Sequence, residues 1–348
     1  MSDKIDFVVT WVDGSDPKWI KTKEKYRESR ELQEFKGSEE SEGSTESIES
    51  KRVFRYRDWD NLHYWFRGIE NFTPWVNKVH FITWGHLPSW LNTEHPKINI
   101  VKHEDYIPAK YLPTFSSRVI ELNMHRIKGL SEQFVYFNDD MFVIKPMDKG
   151  DFFYKGLPCD QASLAYISMT FPSDFPHALL NDIGFINRHF NKYKIIRRHF
   201  SKWYNMKYSL RKNIDTLLLS WTSTFTGFYD HHLPQSYLKS VFEELWDKEP
   251  VLLDETSSRR YRDYRDLNPY VFRYWQLAEG NFFPINMEKR GISVHLPHKY
   301  EFIADIIRKQ QVPMICGNDG EFENFEKVKE QLNQAFEYIL PNKSSFEV

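Results

Sequence analysis

Two adjacent carboxylates, Asp139 and Asp140, follow Asn138 at the end of an apolar run in "QFVYFNDDMF". Another pair, Asp13 and Asp16, closes the run in "IDFVVTWVDGSD". Neighbouring carboxylates repel one another unless a cation lies between them, and oxygen-only ligands suit Mg²⁺ or Mn²⁺. Such a cation commonly keeps phosphate oxygens among its ligands, so the economical chemistry is a nucleotide-sugar diphosphate site. A surface turn rich in Asp gives the same pattern. The second half supplies further groups: "DHHLP" holds His231 and His232, and "SSRRYRDYRDLNP" holds Arg259, Arg260, Arg262, Arg265 and Asp266. A histidine can take a proton from an acceptor hydroxyl near neutral pH, and an arginine can hold phosphoryl oxygens in a bidentate fork. Trp11, Trp75, Trp84 and Trp90 could stack on sugars, although core packing is the commoner use of such rings.

These groups need a frame. The apolar run around Phe7 to Val12, stopped by turn formers, suits a strand covered on both faces, as in a parallel sheet. Ligands of such sheets bind beyond the carboxyl ends of the strands, so Asp13, Asp16, Asp139 and Asp140 are expected to line one crevice. In "RDWDNLHYWFRGIENF", Leu62, Trp65, Phe66, Ile69 and Phe72 recur at helical spacing, with Asp58 as N-cap. "KVHFITW" and "KINIV" read as strands, and Ser116 or Ser117 caps a helix carrying Val119, Ile120, Met124 and Ile127. A packed C-terminal helix follows from Phe325, Val328, Leu332, Ala335 and Ile339. Strands alternating with helices indicate an α/β layered sheet with helices on both faces, and the acidic pair after a strand resembles the device of glycosyltransferases, which implies a Rossmann-like, glycosyltransferase-A-like fold. The expected division is 1–150 for the nucleotide-sugar and metal part, 151–230 for a mainly helical acceptor-selecting insertion, and 231–348 for the remainder of the catalytic domain.

Composition narrows the classes. With 41% hydrophobic and 17% aromatic residues the chain is globular, and a net charge of −2 gives no global signal for nucleic acid. Cys159 and Cys316 form neither a disulfide framework nor a CxxC pair, which favours a reducing compartment. No signal peptide and no run of about 18 apolar residues is visible, so a cytoplasmic protein is expected. Residues 37 to 50 contain five Glu and no basic residue, and read as a mobile loop, either a lid or a tolerated insertion. Lys192 to Lys212 holds eight Lys or Arg and no acid, with aromatics interleaved. That stretch could face an anionic membrane, an anionic glycan or nucleic acid, or be a solvated basic face.

Four segments together resemble the Stealth family of sugar-phosphate transferases: "DFVVTWVDGSDPKW", the long stretch from "RYRDWDNLHYWF" through "FVYFNDDMF", "HLPQSYLKSVFEEL", and "ICGNDG". The resemblance implies transfer of a hexose- or N-acetylhexosamine-1-phosphate from a UDP-sugar to a hydroxyl of an acceptor glycan. A phosphodiester forms and UMP leaves, in capsule or cell-surface polysaccharide synthesis. It implies His232 and Arg262 as catalytic residues, Asp139 and Asp140 as ligands of Mg²⁺ or Mn²⁺, and Trp11, Asp13, Gly14, Asp16, Arg55, Asp58, Arg67, Asn138, Asn318 and Asp319 as donor contacts. His232 would be a base or a transient phosphoryl carrier, and a one-residue shift would exchange it with His231. A lipid-linked acceptor and peripheral contact with the inner membrane face through 192–212 are expected, and no nucleic acid. The alternatives are a metal-dependent glycosyltransferase releasing UDP, and a glycan-binding module without catalysis.

Overall fold

The computed structural model describes residues 4–34, 56–169 and 175–348. Arg55 and the acidic stretch 37–50 lie outside them. In chain order the strands are β1 Ile5–Thr10, β2 Val79–Thr83, β3 Ile98–Lys102, β4 Gln133–Phe137, β5 Met141–Val143, β6 Phe153–Tyr154, β7 Leu157–Asp160, β8 Gln235–Leu238, β9 Phe283–Pro284, β10 Gly291–His295 and β11 Met314–Asn318. The longer helices are α1 Pro17–Glu34, α2 Leu62–Phe72, α3 Ser117–Leu122, α4 Phe175–His189, α5 Lys192–Arg198, α6 Leu210–Leu219, α7 Lys239–Lys248, α8 Pro250–Ser257, α9 Tyr270–Glu279, α10 Leu296–Lys309 and α11 Phe325–Ile339.

The main sheet has the order β3-β2-β1-β4-β8, with the first four strands parallel and β8 antiparallel. Its strands are continuous apolar runs because both faces are covered. Phe7, Val9, Phe81, Val135 and Phe137 pack on one side against α2, α10 and α11. Val8, Ile82, Phe134 and Tyr136 pack on the other against α3, α4, α7 and α9. A second sheet, β10-β11-β5, and a third, β6-β7-β9, adjoin it. No helix among the described residues is long and apolar enough to cross a membrane.

Several local expectations shift. The helix expected to be capped by Asp58 starts at Leu62 behind Asn61, with no side-chain cap, and Asp58 Oδ1 accepts from Asp60 N instead at 2.8 Å. The helix after Ser116 ends at Leu122, and Met124–Arg126 is a separate 3₁₀ turn. There the Asn123 side chain donates back to Val119 O at 2.9 Å, an alternative to continuing the α-helix. Part of the basic stretch is folded into the protein: Lys192 Nζ donates to Leu219 O at 2.9 Å and Lys202 Nζ to Gly280 O at 2.6 Å.

Candidate functional site

Strand polarity brings the site together. In the order 2-1-4 the chain leaves β1 in opposite directions, so a crevice opens at the carboxyl ends of β1 and β4. β4 ends at Phe137 and β5 begins at Met141, which makes Asn138, Asp139 and Asp140 the step between the two sheets. β8 runs antiparallel to β4 with Gln235 opposite Tyr136, so the residues preceding β8 emerge at that same edge. His232 is among them. β11 runs antiparallel to β5 with Cys316 opposite Met141, which places Asn318 and Asp319 there too, and Gly317 N donates to Asp140 O at 3.0 Å.

The resulting cleft has a volume of about 760 Å³, and Trp11, Asn138, Asp139, Asp140, His232 and Arg262 line it. Asp58, Asn318 and Asp319 line it as well. Asp140, His232 and Cys316 present their polar atoms within 4.8 Å of one another. Asp140 Oδ1 is buried with no hydrogen-bond partner among the described residues. Asp139 is exposed to the cleft, and partial desolvation by the surrounding walls, then repulsion from Asp140, pushes its carboxyl up to about 7. Desolvation pushes Asp140 up to about 6, against the effect of a hydrogen bond with Cys316. Both carboxylates therefore resist being ionised together at neutral pH unless a cation joins them. The Cys316 thiol is driven well above its ordinary range by burial and by Asp140, so it stays protonated. The donors left are the Asp139 and Asp140 carboxylates and the His232 nitrogen, and the adjacent carboxylates fit a hard cation such as Mg²⁺ or Mn²⁺.

The two histidines separate. His231 is buried, and its Nε2 lies 3.3 Å from Asp160 Oδ1. Asp160 takes a two-pronged bond from Arg273, with Nε at 2.8 Å and Nη2 at 3.0 Å. The same guanidinium donates through Nη1 to Asp230 Oδ1 at 2.9 Å, and Tyr274 Oη donates to the other Asp230 oxygen at 2.6 Å. His232 is turned the other way by a backbone φ of +38°, a left-handed conformation that costs a non-glycine residue about 1–2 kcal/mol. Its Nδ1 lies 3.3 Å from Tyr270 Oη. Burial lowers the imidazole below its ordinary value, opposed by a hydrogen bond with Asn318. The ring is therefore neutral and able to accept a proton at neutral pH.

Arg262 Nη2 donates to Ser117 Oγ at 2.7 Å at the start of α3. Its loop is fixed from below: Arg118 Nη1 reaches Asp266 Oδ2 at 3.0 Å and Asp263 O at 2.8 Å, while Arg259 Nη1 reaches Asp266 Oδ1 at 3.2 Å. Glu121 also lines the cleft, pushed up to about 7 by burial despite the opposing charge of Arg262.

Other expected donor contacts have different work. Asp13, Gly14 and Asp16 do not line the cleft, so the single crevice with four acids is corrected to one built on Asp139 and Asp140. Asp13 N donates to His86 Nε2 at 2.7 Å, and its Oδ1 accepts from Ser15 N at 2.8 Å. Asp16 Oδ1 accepts from Trp19 N at 2.8 Å and caps α1. A side chain at Gly14 would strike the Tyr56 backbone. From this strand end it is Thr10, Trp11 and Val12 that reach the cleft. Arg67 is buried and also lies outside the lining; its Nε donates to Glu347 Oε1 at 2.9 Å and its Nη1 to Leu340 O at 2.8 Å, which pins the C-terminal segment. Sequence reasoning missed Tyr270, Glu121, Asp230 and Cys316 in the cleft region, and Trp59, whose Nε1 donates to Asp319 Oδ2 at 3.2 Å. Trp59, Glu121, Asp230 and Cys316 lie in segments already singled out, whereas Tyr270 carried no local signal.

The models of Stealth protein conserved region 1 and conserved region 2 match residues 3–31 and 55–159. The chain is 41% identical over 348 residues to a capsular polysaccharide phosphotransferase, WcwK, of Streptococcus pneumoniae, covering 99% of this chain and 98% of the relative. It is 39% identical to the receptor polysaccharide phosphotransferase WefC of Streptococcus gordonii, covering 100% of both. It is 36% identical to the exopolysaccharide phosphotransferase cps2G of Lactiplantibacillus plantarum, covering 99% and 96%.

Proposed function

Since the chain belongs to the Stealth family and is a polysaccharide phosphotransferase, we propose that it transfers a hexose- or N-acetylhexosamine-1-phosphate from a UDP-sugar to a hydroxyl of a growing surface glycan. The reaction would take place in the cytoplasm, on an acceptor that is lipid-linked. The observation that supports this most is the meeting of a neutral, cleft-facing His232 with the Asp139–Asp140 pair and Arg262 around one cavity.

The acceptor oxygen attacks the phosphorus that bears the sugar, the bond from that phosphorus to the UMP oxygen breaks, and the anomeric C–O bond stays intact. His232 acts as the base. For this its Nδ1 carries the proton and donates to Tyr270 Oη, leaving Nε2 to receive the acceptor proton. Arg262, held by Ser117, binds the phosphoryl oxygens whose charge grows in the transition state. Asp139 and Asp140 would hold Mg²⁺ or Mn²⁺, which when bound neutralises diphosphate charge and steadies the leaving UMP. Trp11, Asp58, Asn138, Asn318 and Asp319 line the space left for the donor.

The product tests the reading. A phosphodiester, seen as phosphorus coupling to both the sugar's anomeric carbon and an acceptor carbon in NMR spectra, with the donor's anomeric configuration retained, is expected. A glycosidic bond without phosphorus would refute it. Full turnover after exhaustive EDTA treatment would remove the metal from the scheme.

A further inference from the structure

Helix α6 is inside out. Thr216 is fully buried, its Oγ1 accepting from Leu164 N at 3.1 Å and donating to Lys212 O at 2.9 Å. On the outer side, Leu210, Ile214, Leu217 and Leu218 are 76%, 45%, 61% and 61% exposed, and Trp221 just beyond the helix is 78% exposed. Their spacing places them in one stripe along the helix, pointing away from the core that a soluble amphipathic helix would normally bury. None of them lines the cleft.

The segment that carries the stripe is one-sided in charge. From Lys192 to Trp221 there is one acid, Asp215, among eight Lys and Arg. Some of those cations are committed to the fold: besides Lys192 and Lys202, Lys207 Nζ donates to Pro284 O at 3.0 Å. Lys194, Arg197, Arg198 and Arg211 remain exposed, with the exposed rings of Tyr193 and Phe200 among them. An apolar stripe with aromatic and cationic neighbours has the chemistry of a helix that lies in the interfacial zone of a bilayer.

We propose that the outer face of α6 seats in a membrane surface bearing anionic phospholipids, with the exposed arginines on α5 and α6 meeting the headgroups. A second copy of the chain is the poorer occupant. Two-fold pairing would press two faces of like positive charge together, whereas an anionic bilayer supplies the compensating charge. This docking concerns a surface outside the catalytic cleft, and its test needs no turnover.

The full chain is floated with vesicles of phosphatidylcholine alone and of phosphatidylcholine mixed with phosphatidylglycerol. Binding to the anionic vesicles that weakens with salt is expected. Leu217→Glu with Leu218→Glu should weaken it by at least about tenfold. Arg197→Glu with Arg198→Glu should weaken it about fivefold or more. Thermal unfolding of both variants should match the parent, since the substituted side chains are exposed. The proposal is overturned if the parent does not bind anionic vesicles, or if both double variants bind them as the parent does. A dimer that the Leu217→Glu, Leu218→Glu change dissolves, without vesicle binding by the parent, would assign the stripe to a second copy instead.

Discussion

Two groups of carboxylates lie on either side of the His231–His232 dipeptide, and they are held in opposite ways. Behind it, Asp160 is buried yet carried down to about 2, because Arg273 and His231 outweigh the cost of desolvation. In front of it, no cationic side chain among the described residues offsets the desolvation of Asp139 and Asp140, which are pushed up to about 7 and about 6. Asp230 stands between, bonded to Arg273 but lining the cleft, and burial takes it up to about 6. The paired side holds its shape without help. The unpaired side has the character of a binding floor and not of a structural core, since uncompensated carboxylates at a cleft are stabilised when a cation joins them.

Breaking the front side should cost activity and leave the fold intact. His232→Ala is expected to lower acceptor-dependent turnover by about 10²–10⁴-fold with an unchanged unfolding midpoint, measured by nucleotide release and calorimetry. Loss of activity accompanied by unfolding would make His232 structural. Breaking the back side should do the reverse. Arg273→Met strands Asp160 and Asp230 in the interior and should cost about 3–5 kcal/mol in denaturant unfolding, with Asp160→Asn in the same chain restoring part of it.

A cation should act on the front side alone. Saturating Mg²⁺ is expected to stabilise the protein by about 2–3 kcal/mol in thermal unfolding near pH 7.5, and Asp140→Asn should abolish the shift. A shift that survives Asp140→Asn would move the metal elsewhere.

The smallest effect concerns pH. Burial pushes His125 down to about 3, so the native state keeps it neutral while the unfolded chain takes up a proton as pH falls through about 6.5. Stability should therefore begin to fall below about pH 6.5, whereas the contribution of Asp160 persists until pH drops below about 4 and is lost toward about 2. His125→Phe should flatten the stability profile between about pH 6 and 5, by at most about 1.4 kcal/mol per pH unit. An unchanged slope would assign the acid sensitivity to other groups.

The frame was legible because its signals are local. Apolar runs ending in acids identify β1 and β4, and helical spacing identifies α2 and α11 within a residue or two. The front side was legible for the same reason, since Asp139 and Asp140 are adjacent in the chain. The division of labour between His231 and His232 was not, because it depends on Asp160, 71 residues before His231, and on the backbone turn at His232. Arg67 has the type and position of a phosphate contact but is engaged by Glu347, 280 residues away. Asp13 and Asp16 are at a strand end as expected, yet Ser15 engages the Asp13 carboxylate and the first turn of α1 engages that of Asp16.

Attack at phosphorus is the central claim, and the nucleotide released reports on it most directly. The purified protein is incubated with UDP-sugars, Mg²⁺ and acceptor glycan, and UMP is separated from UDP. Acceptor-dependent UMP is the predicted result, because the bond broken lies between the two phosphorus atoms. Acceptor-dependent UDP would mean attack at the anomeric carbon and would contradict the roles given to His232 and Arg262.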